Sequence, residues 1–190
     1  MPIRQLVAAS VMALAAFSPL SQAASLPSDN QWALFDIDEQ SAQSGDLDWI
    51  VIGDGSALVY TFSIAAGFQG ALTVVDGGFS GDRFLVIDGN TVLGRTSLPS
   101  ASYPDSIGLD FDAALADSRY SRASYVLGAG NHAITGFLIR SAVAEGAVLN
   151  ATVGALRLSV SPVPEPATLA ALLAGLSLLS VVLRRCGNSK

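Results

Sequence analysis

Between residues 24 and 162 the chain has no cysteine and no lysine, and His132 is the only histidine in all 190 residues. Each shortage excludes something. Without cysteine the region holds no internal disulfide, so its stability must come from core packing, with or without the help of a metal, and about 139 residues are enough for that. One imidazole rules out any mechanism that needs two, and with cysteine absent it also rules out the usual zinc sites. Six arginines stand against fifteen aspartates and glutamates in this stretch, a net charge of −9 with His132 neutral. Such a surface repels phosphate backbones, which excludes nucleic acid as a partner.

The two ends, by contrast, have little charge, and much of the 51% hydrophobic content and the mean hydropathy of +0.48 lies there. Arg4, the apolar run Leu6 to Phe17, Pro19 and the small residues of Ser21-Gln22-Ala23 form a secretion signal over 1–23, with a cut expected after Ala23. An N-terminal anchor is the alternative, but twelve apolar residues fall short of the ~17–25 that a span needs. Ala167 to Leu183 is a second uncharged run, of seventeen residues. As a helix it would be about 26 Å long, just sufficient to cross a hydrocarbon core of ~30 Å. Arg184, Arg185 and Lys190 follow it, and positive charge stays cytoplasmic, so the preceding domain is expected outside. Cys186 then lies on the reducing side as a free thiol.

Just before this run stands Val163-Pro164-Glu165-Pro166. Two prolines around one glutamate give an extended, non-helical segment accessible to a processing enzyme at the membrane surface. The triplet, the apolar run 167–183 and the basic end 184–190 together resemble the PEP-CTERM sorting tail of Gram-negative, exopolysaccharide-producing bacteria. That resemblance implies recognition by an exosortase, a membrane transpeptidase, with Val163, Pro164, Glu165, Pro166, Arg184 and Arg185 as the sorting signal. An ordinary single-span anchor on a proline-rich stalk is the other reading of 163–190.

Residues 24–162 show short β-rich runs about ten residues apart, separated by Gly, Asp, Asn and Pro, as in an antiparallel sandwich. Strands are expected at 31–37, 48–52, 57–64, 71–76, 83–88, 91–96, 121–127, 132–140 and 147–160, the last broken near Val153-Gly154. Asp88-Gly89-Asn90 predicts a hairpin over 83–96, because glycine accepts the backbone geometry of a tight turn. Asp112 to Ser118 is the one helix-like stretch. The fold class is therefore all-β, a single antiparallel sandwich between a signal helix and a transmembrane helix.

The strand ending at Asp76, then Gly81-Asp82-Arg83-Phe84, Asp88-Gly89, Gly94-Arg95-Thr96-Ser97 and the later Gly128 to Ile134, is similar to the CUB-like, jelly-roll ectodomains of PEP-CTERM proteins. This implies an architecture and an address rather than an activity.

Asp76 and Asp82 bracket a loop with three glycines, the beginning of a calcium site, since calcium takes six to eight oxygens from carboxylates and carbonyls. Asp88, Asp110 or Asp112 could complete it if the fold brings them to the same end. Alternatively, Asp76 and Asp82 cap amides of their own turn. A second acidic group, Asp36, Asp38, Glu39, Asp46, Asp48 and Asp54, fits no EF-hand template and reads as a solvated surface. Trp32 and Trp49 sit among apolar neighbours and are expected in the core, whereas Tyr103 and Tyr120, in loops, are the candidates for glycan contact. His132 is expected at a turn edge, bonded to a backbone carbonyl. No Gly-x-Ser-x-Gly elbow accompanies it, so no catalytic residue is assigned and no enzyme is expected. The expected product is an exported protein, held at the inner membrane by its C-terminal helix and then sorted to the cell surface or matrix. Its expected role is structural or adhesive in biofilm or exopolysaccharide. The alternative is a calcium-dependent carbohydrate-binding module. Expected partners are the secretion machinery, an exosortase and extracellular polysaccharide.

Overall fold

The computed structural model describes residues 21–37, 47–149 and 152–163, together with Ala174 and Leu176. In chain order the elements are β1 (Gln22–Ser25), β2 (Ala33–Ile37), β3 (Leu58–Ile64), β4 (Phe68–Asp76), β5 (Arg83–Asp88), β6 (Thr91–Arg95), α1 (Phe111–Ala116), β7 (Arg122–Leu127), β8 (Gly130–Arg140), β9 (Val143–Ala144), β10 (Ala147–Val148) and β11 (Thr152–Pro162). The order β1-β3-β8-β5-β6 makes one sheet and β2-β11-β4-β7 another, while β9 and β10 pair as a small hairpin.

The period of two in each strand decides what lies between the sheets. From the four-stranded sheet Phe35, Ile37, Leu72, Val74, Leu156 and Leu158 point inward, and Leu58, Tyr60, Phe84, Val86, Ile134 and Leu138 meet them from the five-stranded sheet, all within one buried cluster. The Tyr60 hydroxyl crosses this core to donate to the Leu34 carbonyl. At its centre the Phe35 and Trp49 rings stack 3.8 Å apart, with Phe84 edge-on to both. Two glycines make room for the stack. A Cβ at Gly154 would run into the Phe35 ring, and one at Gly136 into Trp49. Glycine inside a strand often marks such a close approach. A second cluster covers the outer side of the four-stranded sheet, where Phe111 and Ala114 of α1 and Tyr120 pack on Val75 and Ala155.

The hairpin 83–96 forms as β5 and β6, with Asp88 opposite Thr91, and the short helix forms one residue earlier than expected, capped by the Asp110 carboxylate. Three features differ from expectation. Residues 48–50 make isolated bridges instead of a strand, because their partners alternate between sheets: Asp48 meets Phe137 of β8, and Ile50 meets Asp36 of β2. β11 runs unbroken through Val153-Gly154, since the glycine accommodates Phe35 rather than ending the strand. The pairing is not wholly antiparallel, for β1 lies parallel to β3 with Gln22 opposite Leu58.

The expected cut after Ala23 falls inside β1. The segment beyond the cut would still carry Leu26, which is 2% exposed in the main core. Residues 1–20, the acidic residues Asp38, Glu39 and Asp46, and the sorting residues from Pro164 to Arg185 lie outside the described residues, as does the expected span apart from Ala174 and Leu176. Among the described residues no helix is long and apolar enough to cross a membrane.

Candidate functional site

Strand alternation carries both loop aspartates into one end of the core. Asp76 follows Leu72 and Val74 on the inward row of β4, and Asp82 stands two residues before the inward-facing Phe84 of β5. The two carboxylates thus approach from opposite sheets, 0% and 2% exposed. Asp76 Oδ2 accepts from the Gly81 amide at 3.1 Å and the Asp82 amide at 3.3 Å, the turn-capping role anticipated as one alternative. Asp82 Oδ1 accepts from the Ala142 amide at 2.6 Å, and the Thr152 hydroxyl adds a second bond. Ala142 is so close that a Cβ at Gly81 would lie 2.6 Å from its Cα.

Burial pushes both carboxyls above the ordinary value of 3.8, and the Asp82 charge raises Asp76 further. The amide donors around them pull in the opposite direction without cancelling the effect. Asp88, Asp110 and Asp112 do not join the pair. Asp88 sits at the far end of β5, 2.6 Å from His132 Nδ1; Asp110 caps α1; Asp112 bonds Trp32 Nε1 at 3.2 Å and Arg157 at 3.0 Å. Among the described residues no third carboxylate, histidine or thiol completes a metal cluster.

The same loop carries an aromatic that the sequence reading passed over. Phe79, midway between the aspartates, places its ring 5.5 Å from that of Tyr103, which is 45% exposed. Backbone bonds hold the two loops together: Gly78 donates to Gly108, and Ile107 returns a bond to Gly78. Ser80 adds bonds to Ser100 and Ser102. Tyr120 is not a ligand contact. It is 1% exposed, packed under α1, with its hydroxyl donating to the Gly78 carbonyl at 3.0 Å. Its place in a loop suggested exposure, but that loop folds back under the helix.

Trp32 is half-buried, with the Arg157 guanidinium 4.3 Å above its ring and Phe111 5.9 Å away. Trp49 is fully buried, as expected. His132 bonds the Gly128 carbonyl at 3.0 Å, as a turn-edge residue should, and stacks on Phe62 beside a shallow concavity that Thr61, Ser63 and Asn131 also line. The Ser63 hydroxyl there donates to Asn131, not to the imidazole, so this concavity assembles no activated nucleophile. Among the described members of the second acidic group, Asp36 bonds its neighbour's amide, Asp48 bridges to Phe137 and is raised in pKa by burial, and Asp54 caps the Ser56 turn, whose bonds lower its pKa.

No family model and no curated protein matches the sequence. Among solved structures, the chain is similar to the pre-peptidase C-terminal domain of a collagenase from Bacillus anthracis, with a TM-score of 0.37 at 10% identity over 75% of this chain and 97% of that one. It is also similar to the C-terminal CBM6 of the laminarinase LamC from Zobellia galactanivorans, with a TM-score of 0.29 at 16% identity over 67% of this chain and 99% of that one.

Proposed function

We propose that the chain is an exported surface protein whose β-sandwich is a display or adhesive module, sorted by an exosortase-like enzyme acting on its C-terminal tail. The observation that carries this reading is the order of features after residue 162: Pro164-Glu165-Pro166, seventeen uncharged residues, then Arg184 and Arg185. The way the tail leaves the fold supports it. β11 ends at Pro162, opposite Phe68, and the Val163 amide bonds the Gly67 carbonyl, so the sandwich is joined to the motif without a spacer. Eight residues back along β11, Gly154 lies opposite Asp76. At ~3.3 Å per residue the Asp76–Asp82 end stands about 26 Å from the tail, pointing away from a membrane that the tail would enter. A domain with no lysine and a net charge of −9 suits soluble display and cation-bridged association with anionic polymer.

Processing in the producing cell tests this reading. With one tag in the exposed turn at Gly53 and another after Lys190, the exported chain should keep the first and lose the second. A Pro164→Ala, Pro166→Ala double variant should keep both. Recovery of both tags, intact in the cytoplasm, from the unaltered chain would overturn it.

A carbohydrate-binding module is the second reading, favoured by the Phe79–Tyr103 pair in the loops that point away from the tail. Aromatic faces stack on sugar rings with little reorganisation. Co-sedimentation with exopolysaccharide from the producing cells should then fall several-fold on Tyr103→Ala. Equal retention of the variant and the parent would dismiss that role for the pair.

A further inference from the structure

Two buried carboxylates close the core with no basic partner among the described residues. The ion pairs among the described residues join Arg119 to Asp105 and Asp117, His132 to Asp88, and Arg157 to Asp112, and none reaches Asp76 or Asp82. Arg83, next in the chain, turns its Nε to the Thr96 carbonyl. Among the described residues the pair therefore meets only neutral donors: the Gly77, Gly81, Asp82 and Ala142 amides and the Thr152 hydroxyl. One oxygen, Asp76 Oδ1, is fully buried and has no hydrogen-bond partner among the described residues. Proteins seldom leave a buried carboxylate oxygen unmatched, because desolvation is costly unless charge or hydrogen bonds offset it.

We propose that Asp76 and Asp82 bind a divalent cation of the calcium class at this end of the sandwich, with Asp76 Oδ1 as a direct ligand. The donor chemistry selects the ion. Among the described residues no thiol or imidazole joins the pair, which disfavours zinc and other metals that prefer nitrogen or sulfur. Oxygen donors of mixed kind suit calcium, whose coordination is adaptable. Magnesium demands near-octahedral geometry and retains several waters, for which a site 0% to 2% exposed has little room. The ion would draw together the end of β4, the residues before β5, Ala142 and Thr152, which already meet at Asp82. It would thereby brace the loop that presents Phe79. This proposal rests on neither the sorting tail nor sugar binding, and its test uses neither.

The full-length chain, purified in detergent micelles and stripped with EDTA, is titrated with calcium chloride alone, by calorimetry and by thermal midpoint. One ion per chain should bind saturably and raise the midpoint, while magnesium at the same concentration should do much less. Asp76→Asn and Asp82→Asn keep the shape of the side chains and should each weaken calcium binding at least about tenfold. Glu145→Gln, an exposed change on the nearby β9–β10 turn, should leave it unaltered. The proposal is overturned if the parent chain binds no calcium, or if binding persists undiminished in both Asn variants. Equal stabilisation by magnesium overturns the assignment to calcium. Should an Asn variant fail to fold, the parent titration alone still decides.

Discussion

Trp49→Ala is expected to lower the stability of the sandwich by about 3–5 kcal/mol, read from the denaturant midpoint of the full-length chain. The residue is 0% exposed and fills the space between the sheets, stacked on Phe35 and edge-on to Phe84. Collapse refills the space poorly, because one side of it is the backbone at Gly136 under the ring, and Phe35 is itself seated on Gly154. The two glycines predict the converse effect. Gly154→Val should destabilise the fold by at least ~1–3 kcal/mol through overpacking, since even a Cβ there collides with the Phe35 ring. Trp49→Phe should be far milder than Trp49→Ala. It retains most of the stack and removes the indole N–H, which is buried without a hydrogen-bond partner among the described residues. If Trp49→Ala cost less than 1 kcal/mol, the stack would not be the centre of the core.

The strand pattern was legible because alternation is a local signal. Leu156, Leu158 and Val160 alternate with Arg157 and Ser159 in the sequence, and β11 buries that row. The two hidden features were non-local. Nothing near Gly154 reveals that Phe35, over a hundred residues earlier, needs the space, so the glycine reads as a break. Likewise, the bridging of 48–50 between two sheets depends on partners at 36 and 137. In the candidate site, Asp76 and Asp82 stood out by flanking a glycine-rich loop, and Tyr103 by its place in a long loop. Phe79 lies in the same loop, and nothing in its local pattern separates it from a core aromatic. Its spacing from the aspartates was the only signal that could have found it. Tyr120 failed as a site residue because exposure is decided by the way a loop folds, here under α1.

With EDTA present, stability is expected to fall as pH rises from about 4 to about 8, the reverse of the usual carboxylate trend. The sign follows from the direction of the displacement. Asp76 and Asp82 both bind protons more tightly when folded than when unfolded, desolvation being the larger cause for each. Their contribution is therefore complete below the ordinary value of 3.8 and is lost as pH climbs through the raised values, because each must then remain buried while ionised. Asp117 and Asp54 are shifted the other way, but Asp54 is exposed and Asp117 only half-buried at the surface, where screening leaves such effects small. An ionised, uncompensated buried pair opposes folding by an amount on the order of several kcal/mol, enough to dominate the profile. Asp76→Asn should flatten the slope, since its amide oxygen can still accept from Gly81 and Asp82 while the charge that must be buried is gone. The measurement is a series of urea midpoints on parent and variant across that pH range in EDTA. A parent chain that grows more stable toward pH 8 would show that the two carboxylates are not buried together.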